Sequence, residues 1–549
     1  RPARGGGRGW GGSGGLPDLE VRTDAGAVRG GRYGGVAVFR EIPFGEAPQG
    51  DLRFARPQPA PAWEGVLDCS SENALDMVQG FCPNLNVDGH VVGREDCLKL
   101  HVFRPDGTPA PGGRAPDKRP VYVYIHGGMF WTEDMVELTA HDPRRLAEDL
   151  GAVVVVMQYR LGVLGFFAAP SLMDEDDDGS TGNYGLQDQR LALEWVQRNA
   201  AAFGGDPDLV TIHGVSAGAM SICAHVASPA SAGLFHRAII QSGNCDNSYA
   251  FSPLATAEAV SESLSSRLGC GKDKQPGSAE QRECLRRLPL ADLLKLQLYP
   301  VAKEHRDLLP LAPVLPWVPV VDGTRSGLLG TPQDRIAEND FNHVPILIGS
   351  THNEGSLFAP ELPALVRELR SPEAMVKEQL TSMFGATVTA QVLAEFPWMG
   401  KSKDPLWLKR LSEIITSYIF TCPARRTMRL MHSLGHQDIW QWHFQYNDHS
   451  LLYRLYGNYH THESKFVFGP KWGEYKGEDR EMQALMQGYW LNFALYGNPN
   501  GAEGRLRMED DLHWDPASPD GVMLFQKESQ MVDLVFPKHC DFWDRIAPA

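Results

Sequence analysis

The sequence predicts an α/β fold in which a large central, mostly parallel sheet is flanked by helices. Short, almost continuously apolar runs alternate with longer amphipathic segments, as expected for buried parallel strands joined by crossover helices. One apolar run also leads into a serine flanked by small residues and then into a helix-like segment, as at the carboxyl end of such a strand. The predicted strands are 121–125, 152–159, 209–213, 238–240, 344–348 and 439–445, and the predicted helices are 186–202 and 217–226.

Length and charge narrow the class of protein. The chain has 549 residues, which exceeds the usual size of a domain, although large α/β folds can run long as one unit. We expect one folded domain over 17–549, preceded by a flexible Gly/Arg-rich tail over 1–16. The formal net charge of −16 disfavours nucleic acids and anionic membrane surfaces as partners. No apolar run approaches the roughly 20 residues that a transmembrane segment needs.

The pentapeptide Gly214–Gly218 (GVSAG) places Ser216 in a tight turn between the predicted strand 209–213 and the predicted helix 217–226. A nucleophile on such a turn has strained backbone angles, so its neighbours have to be small. The helix that follows directs its amides towards the reacting centre, where negative charge develops. The motif also occurs by chance, but its strand–turn–helix context favours Ser216 as a nucleophile.

A second glycine-rich segment, His126–Met129 (HGGM), directly follows the predicted strand 121–125. Acyl transfer needs backbone N–H groups that point at the tetrahedral oxyanion, and adjacent glycines let the backbone approach closely. We expect an oxyanion hole formed by the amides of Gly128 and Met129, together with that of Ala217 after the nucleophile. A glycine-rich turn without a catalytic role is the alternative.

A catalytic serine needs a base, and the base needs a carboxylate that orients it. In this kind of fold the chain order is serine, acid and then histidine. Glu354 follows the predicted strand 344–348 and is the candidate acid, with a solvated loop carboxylate as the alternative. His460 and His462 lie further on, and their spacing alone does not decide which is the base. We expect no metal there, because the pair has no companion Cys and no clear third ligand.

Several further blocks follow a known pattern from about Val21 to Ile546: IPFG at 42–45, EDCL at 95–98, YRLG at 159–162, NYGLQDQ at 183–189 and YWLNFA at 489–494. With these blocks and the GVSAG pentapeptide, the chain resembles the cholinesterase/carboxylesterase family, the type-B carboxylesterases and lipases. The resemblance implies an α/β-hydrolase fold with helical insertions around an active-site gorge. It also implies hydrolysis of a carboxylic ester without any cofactor.

The resemblance also assigns roles to individual residues. It implies Ser216 as the nucleophile, Glu354 as the acid and His460 as the base. His460 is chosen because Glu463 and the Phe-Val-Phe-Gly segment that follows match the family's pattern after its histidine. Ser242 matches a serine that lies near the acid in this family. The implied mechanism is an acyl-enzyme on Ser216.

Departures from the family pattern narrow the expected substrate. Cholinesterases carry Glu before the nucleophile, where this chain has Val215, and a Trp in a loop that corresponds to 81–96, where this chain has none. Because that Trp binds a quaternary ammonium by cation–π attraction, choline esters are not expected. Met129 replaces the third glycine of the oxyanion loop but retains a backbone N–H. Pro313 and Leu315 match the region that lines the family's acyl pocket, with core positions as the alternative, so we expect small to medium apolar esters.

The cysteine pattern indicates an exported protein. By family position, the nine cysteines include the disulfide pairs Cys270–Cys284 and Cys422–Cys540. Disulfides persist in oxidising compartments, so we expect a secreted or otherwise extracytoplasmic protein. A reduced, cytosolic chain is the alternative.

Two further cysteine assignments rest on the same resemblance. Cys97 pairs with either Cys69 or Cys82, and Cys69 is favoured because the family's first disulfide closes a loop of nearly that length. Cys223 lies two turns along the predicted nucleophile helix and is expected to be a buried free thiol.

The sequence therefore predicts a serine carboxylesterase that acts on a small-molecule ester as a monomer or homodimer. Two other functions stay open. A lipase acting on longer-chain acylglycerols would use the same catalytic residues. A non-catalytic, cholinesterase-like adhesion or binding ectodomain would typically lack a triad residue, whereas Ser216, Glu354 and His460 are all present here.

Overall fold

The computed structural model describes much of the chain. The predicted tail over 1–16 and the predicted pocket residues Pro313 and Leu315 lie outside the described residues. The described residues are 19–71, 80–85, 89–106, 118–132, 142–246, 250–271, 277–295, 317–358, 372–397, 406–470, 473–502, 512–516 and 520–546.

A sheet of 13 strands lies at the centre of the described structure, accompanied by two small sheets of 2 strands each. The strands are β1 Leu19–Arg22, β2 Ala27–Tyr33, β3 Val36–Pro43, β4 Val66–Asp68, β5 Asn84–Leu85, β6 Val91–Val92, β7 Lys99–Pro105, β8 Arg119–Ile125, β9 Val153–Met157, β10 Gly205–Val215, β11 Arg237–Gln241, β12 Ser252–Pro253, β13 Val320–Val321, β14 Ile346–Thr351, β15 Ile439–Phe444, β16 Val522–Phe525 and β17 Gln530–Val532.

The order of the large sheet is β1-β2-β3-β7-β9-β8-β10-β11-β14-β15-β16-β17, with β4 paired to β2. Every neighbouring pair from β9 to β16 is parallel. The remaining neighbours in that order are antiparallel. All of the predicted strands are present with adjusted bounds, and the prediction of a mostly parallel central sheet is confirmed for its middle.

Helices flank the sheet, and none of those described is long and apolar enough to cross a membrane. The α-helices are α1 Pro143–Leu150, α2 Gly162–Phe166, α3 Pro170–Met173, α4 Tyr184–Asn199, α5 Ala217–Ala227, α6 Leu254–Arg267, α7 Ala279–Arg287, α8 Leu290–Lys295, α9 Pro332–Ala337, α10 Gly355–Phe358, α11 Pro372–Glu395 (with a kink at Gly385), α12 Leu406–Ile415, α13 Cys422–Ser433, α14 Leu451–Tyr456, α15 Ser464–Phe468, α16 Glu478–Tyr496 and α17 Pro537–Ile546.

Alternate residues of the central strands belong to two different cores. On β8, Val121 and Val123 lie in the core that contains residues of α4, α5 and α13. Tyr122 and Tyr124 point the other way, into the core that contains residues of α1, α15 and α16. Because successive side chains of a strand face opposite sides of a sheet, a strand covered on both sides has to be apolar throughout. This arrangement explains the near-continuous apolar runs in the sequence.

Smaller apolar clusters attach the inserted helices to the carboxyl-end side of the sheet. One cluster joins α6, α7 and α8 to Met220 of α5 and to Phe130 of the loop after β8. Another joins α11, α12 and α17 to Phe420, which lies just before α13. These helices correspond to the helical insertions that were expected around the site.

Among the described residues, four disulfides are present. The pairs Cys270–Cys284 and Cys422–Cys540 agree with the prediction.

The predicted pairing of Cys97 with Cys69 is wrong. Cys97 is bonded to Cys82, and Cys69 is a buried free thiol. Between the two bonded cysteines, β5 and β6 form an antiparallel pair, and the Arg94 amide donates a hydrogen bond of 2.9 Å to the Phe81 carbonyl. This chain reversal brings Cys82 next to Cys97. Cys69 is instead hydrogen-bonded through its backbone to β2 and β3.

The prediction that Cys223 is a free thiol is also wrong. Cys223 of α5 is bonded to Cys245, which follows β11. The strands β10 and β11 are parallel neighbours, so their carboxyl ends lie at the same edge of the sheet. The chain leaving β11 therefore passes close to the first turns of the helix that follows β10.

Candidate active site

Ser216 occupies the turn between β10 and α5, with φ 58° and ψ −125°. A positive φ is strained for any residue other than glycine, and such strain concentrates at functional sites. The Ser216 amide donates a hydrogen bond of 2.9 Å to the Gln241 carbonyl at the end of β11. Only 9% of Ser216 is exposed. The turn therefore holds the serine at the carboxyl end of the sheet, attached to the neighbouring strand.

Close packing explains why the residues around Ser216 are small. A Cβ atom on Gly218 would lie 2.1 Å from the carbonyl oxygen of Ile125 on β8. Real Cβ atoms do not approach backbone oxygens so closely, so the start of α5 could not pack against β8 with a larger residue here. This contact explains why the pentapeptide motif has a glycine at position 218.

Glu354 lies three residues after β14 and is fully buried. Its Oε1 atom accepts hydrogen bonds from the Ser242 hydroxyl and the Thr351 amide, each 2.7 Å long. Its Oε2 atom lies 2.6 Å from Nδ1 of His460. With Nδ1 as the donor in that contact, Nε2 of His460 is left with its lone pair available to accept a proton.

Two aromatic rings flank His460. The ring centroids of Phe358 and Phe420 each lie 5.0 Å from that of the histidine. Nε2 of His460 is buried and makes no hydrogen bond with the residues that the structure describes. In the sequence neither phenylalanine differs from an ordinary core residue, so no local pattern predicts these contacts.

The rival base, His462, lies in a separate environment. Its Nε2 atom is 3.4 Å from Oδ2 of Asp448, and its Nδ1 atom is 3.2 Å from Nδ2 of Asn458. Burial lowers the pKa of His462, although Asp448 acts in the opposite direction. The structure thus brings His460, and not His462, to Glu354. Within the described ranges, no group of three or more His, Cys, Asp or Glu could hold a metal ion.

The loop after β8 lies against the nucleophile. A Cβ atom on Gly127 would lie only 3.0 Å from Cβ of Ser216. Gly128 and Met129 follow with φ values of 103° and 56°. Met129 thus adopts a backbone conformation that a glycine would adopt more easily. Ala217 begins α5 directly after the serine. The contact of Gly127 with Ser216 therefore brings the loop that contains Gly128 and Met129 to the turn that precedes Ala217.

Glu463 is a second buried carboxyl group near the candidate triad. Its Oε1 atom accepts a hydrogen bond of 2.8 Å from the side-chain amide of Gln241. Its Oε2 atom has no hydrogen-bond partner among the described residues. Burial, together with the negative charge of Glu354, raises the pKa of Glu463 to about 7. In the sequence, Glu463 stands out only as part of the family pattern that follows His460.

Comparisons with known proteins identify the family of the chain. A model of the Carboxylesterase family matches residues 17–543. The chain is 34% identical to cocaine esterase of Oryctolagus cuniculus, over 90% of this chain and 89% of that protein. It is 32% identical to acylcarnitine hydrolase of Rattus norvegicus, over 94% of this chain and 87% of that protein. A solved structure of a PNB esterase has a TM-score of 0.74 and 28% identity, covering 95% of this chain and 99% of the other.

Replacing either histidine separates their roles. We expect His460→Ala to lower kcat for ester hydrolysis by about 10³-fold or more, because Ser216 would lose its proton acceptor. His462→Ala is expected to cost about 2 kcal/mol of stability, because it removes a buried ring, while kcat falls less than about tenfold. Steady-state kinetics and urea unfolding measure both effects. An inactive His462→Ala variant beside an active His460→Ala variant would reverse the assignment.

Glu463 is expected to make stability depend on pH. Its pKa is about 7 in the folded chain, against an ordinary value of 4.5, so the folded state binds an extra proton between those values. The free energy of unfolding therefore falls as pH rises through this window, by about 3 kcal/mol in all.

The variant Glu463→Gln keeps an acceptor for Gln241 but does not titrate, so its unfolding free energy should vary less between pH 5 and pH 8. Urea unfolding at several pH values tests this expectation, with Glu64→Gln, at an exposed position, as the matched control. A wild-type pH dependence retained in Glu463→Gln would contradict it.

Proposed function

This chain belongs to the carboxylesterase family and is a carboxylic ester hydrolase, and we propose that it acts through an acyl-enzyme formed on Ser216. The observation that carries the proposal is the contact of 2.6 Å between His460 Nδ1 and the buried Glu354 carboxylate. In that arrangement the histidine is oriented to serve as a base for the serine on the strained turn.

In the proposed mechanism, Nε2 of His460 takes the proton of the Ser216 hydroxyl while Oγ attacks the carbonyl carbon of the ester. The amides of Gly128, Met129 and Ala217 donate hydrogen bonds to the oxyanion of the tetrahedral intermediate. The intermediate collapses, and His460 gives its proton to the leaving alcohol.

The second half of the cycle uses the same groups. Water gives a proton to His460 and attacks the acyl carbonyl, and the carboxylic acid leaves as Ser216 regains its proton. Glu354 stabilises the imidazolium that forms in each half-reaction. The two neighbours of its Oε1 atom, Ser242 and Thr351, keep the carboxylate in the orientation that His460 needs.

We further propose that the substrates are small to medium apolar esters and not choline esters. Val215, before the nucleophile, is completely buried in an apolar cluster, so this position supplies no negative charge for a quaternary ammonium. The rings of Phe358 and Phe420 beside His460 favour apolar groups near the reacting centre. The expected contributions of Pro313 and Leu315 to an acyl pocket remain predictions from the sequence.

The four disulfides of the described residues are typical of an oxidising compartment. We therefore propose a secreted or otherwise extracytoplasmic location. A monomer or homodimer remains the expected state of assembly.

The nucleophile is tested by Ser216→Ala. We expect kcat/KM for a soluble ester to fall by about 10⁴-fold or more, with the free energy of unfolding little changed. An organophosphate fluoride should label wild-type Ser216 one-to-one, as read by mass spectrometry of the digested protein, and should leave the variant unlabelled. Undiminished turnover by Ser216→Ala would contradict the proposal, and an unlabelled, inactive wild-type chain would favour the binding ectodomain.

The substrate class is tested with matched esters. We expect 3,3-dimethylbutyl acetate, the uncharged carbon analogue of acetylcholine, to be hydrolysed with a kcat/KM about tenfold or more above that of acetylcholine, because no cation site is proposed to offset the loss of ammonium hydration. Nitrophenyl esters of short acids should be better substrates than those of long acids. A strong preference for acetylcholine would contradict the apolar assignment. A sharp rise of activity on emulsified long-chain acylglycerols would identify a lipase instead.

A further inference from the structure

One short segment, Gln241–Asp246, contacts both the candidate nucleophile and the candidate acid, and is called the strap below. The carbonyl of Gln241 accepts the hydrogen bond from the Ser216 amide at 2.9 Å. The next residue, Ser242, donates its hydroxyl to Glu354 Oε1 at 2.7 Å. A displacement of the strap would therefore change the position of the serine relative to the acid.

The strap packs tightly against the start of α5. A Cβ atom on Gly243 would lie 2.5 Å from Cβ of Ala219 and 3.2 Å from the carbonyl oxygen of Ser216. Ser242 has a φ of 50°, which is strained for a residue with a side chain. A strained conformation of this kind persists only where the surroundings hold it in place.

Two sets of contacts hold the far end of the strap. Asn244 donates its side-chain amide to the Ile419 carbonyl at 2.7 Å, and Asp246 forms an ion pair with Arg426 of α13. Cys245, between them, is bonded to Cys223 of α5. The strap is therefore attached covalently to the helix that begins at the nucleophile.

This bond joins the helix that begins at the candidate nucleophile to the segment that contacts the candidate acid. The cysteines are 22 residues apart, and the loop they close contains the C-terminal part of α5, all of β11 and the strap up to Cys245. Both Cys223 and Cys245 are buried, at 0% and 1% exposure. Cys245 lies three residues after Ser242, and Cys223 lies seven after Ser216. The Cys270–Cys284 bond closes a loop of similar length, with a separation of 14 residues, that contains none of the proposed catalytic residues.

We propose that the Cys223–Cys245 disulfide is a positioning element of the active site, which holds Ser242, and through it the Glu354 carboxylate, in register with Ser216. This inference rests on the proposed function. A catalytic group displaced by about 1 Å can cost about 10²-fold in rate. Because the serine, the acid and the base act on the transition state more than on the bound substrate, the loss should appear in kcat and not in KM.

The first measurement is a peptide map of the protein, unfolded in denaturant and alkylated without reductant before digestion. A cross-linked pair of peptides that contains Cys223 and Cys245 is expected. Alkylation of both as free thiols would overturn the inference, and this readout does not depend on catalysis.

The second measurement compares Cys223→Ala/Cys245→Ala with Cys270→Ala/Cys284→Ala, the matched control. Steady-state kinetics are run well below each melting temperature, with active sites counted by organophosphate labelling. We expect the first variant to lose about tenfold in kcat with KM within about twofold of wild type, and the control to keep both constants within about twofold. Wild-type kcat in the first variant, or an equal loss in the control, would overturn the inference while leaving the proposed function intact.

A third measurement separates positioning from a general loss of stability. If the disulfide acts through Ser242, adding Ser242→Ala to Cys223→Ala/Cys245→Ala should lower kcat little beyond Ser242→Ala alone. Fully multiplicative losses would contradict this route. If the wild-type chain hydrolyses no ester, the proposed function is refuted. The peptide map reports the disulfide without reference to catalysis, so this failure can be told apart from a failure of the inference.

Should the cysteine variant fail to fold, native protein is treated stepwise with a water-soluble phosphine. The phosphine is oxidised to its oxide, with oxygen from water, as each disulfide is reduced to two thiols. Activity should survive reduction of Cys270–Cys284 and fall in step with alkylation of Cys223 and Cys245, at unchanged circular dichroism. Full activity with Cys223 and Cys245 alkylated would overturn the inference.

Discussion

The burial of the Glu354 carboxylate is the constraint on which the rest of the site depends. A buried charge is costly unless donors surround it, and each donor here comes from a different part of the fold. Thr351 belongs to β14, Ser242 follows β11, and His460 lies in the loop after α14. Because the carboxyl ends of the central strands share one sheet edge, these donors can reach the same group. The hydrogen bonds that stabilise the buried charge therefore also orient the histidine.

Two buried carboxyl groups, Glu354 and Glu463, lie close to each other but differ in their hydrogen bonds. Among the described residues, Glu354 contacts donors of Ser242, Thr351 and His460, whereas the Oε2 atom of Glu463 has no hydrogen-bond partner. Burial and the charge of Glu354 raise the pKa of Glu463 to about 7, which favours its neutral form. The two carboxyl groups thus differ in how completely their hydrogen-bonding capacity is satisfied.

The predictions from sequence succeeded where a residue's surroundings follow from local pattern and failed where they depend on distant loops. Strands covered on both faces have to be apolar, so their positions could be read from the chain. The serine turn has a local signature of small residues. The choice between His460 and His462 needed the family resemblance, because only the fold determines which ring meets Glu354. The pairing of Cys82 depends on the β5–β6 hairpin, and the pairing of Cys245 depends on the crossover from β10 through α5 to β11. The spacing of cysteines along the chain does not show where either connection brings them.

The central claim is that this arrangement makes Ser216 a covalent nucleophile, and rapid-quench mass spectrometry during turnover tests it most directly. With a nitrophenyl ester in excess, we expect a burst of about one nitrophenol per active site and a matching acyl mass on the peptide that contains Ser216. A steady rate without a burst, with no acyl mass at any quench time under conditions where deacylation is slow, would contradict the account. An acyl group on another residue would contradict it as well.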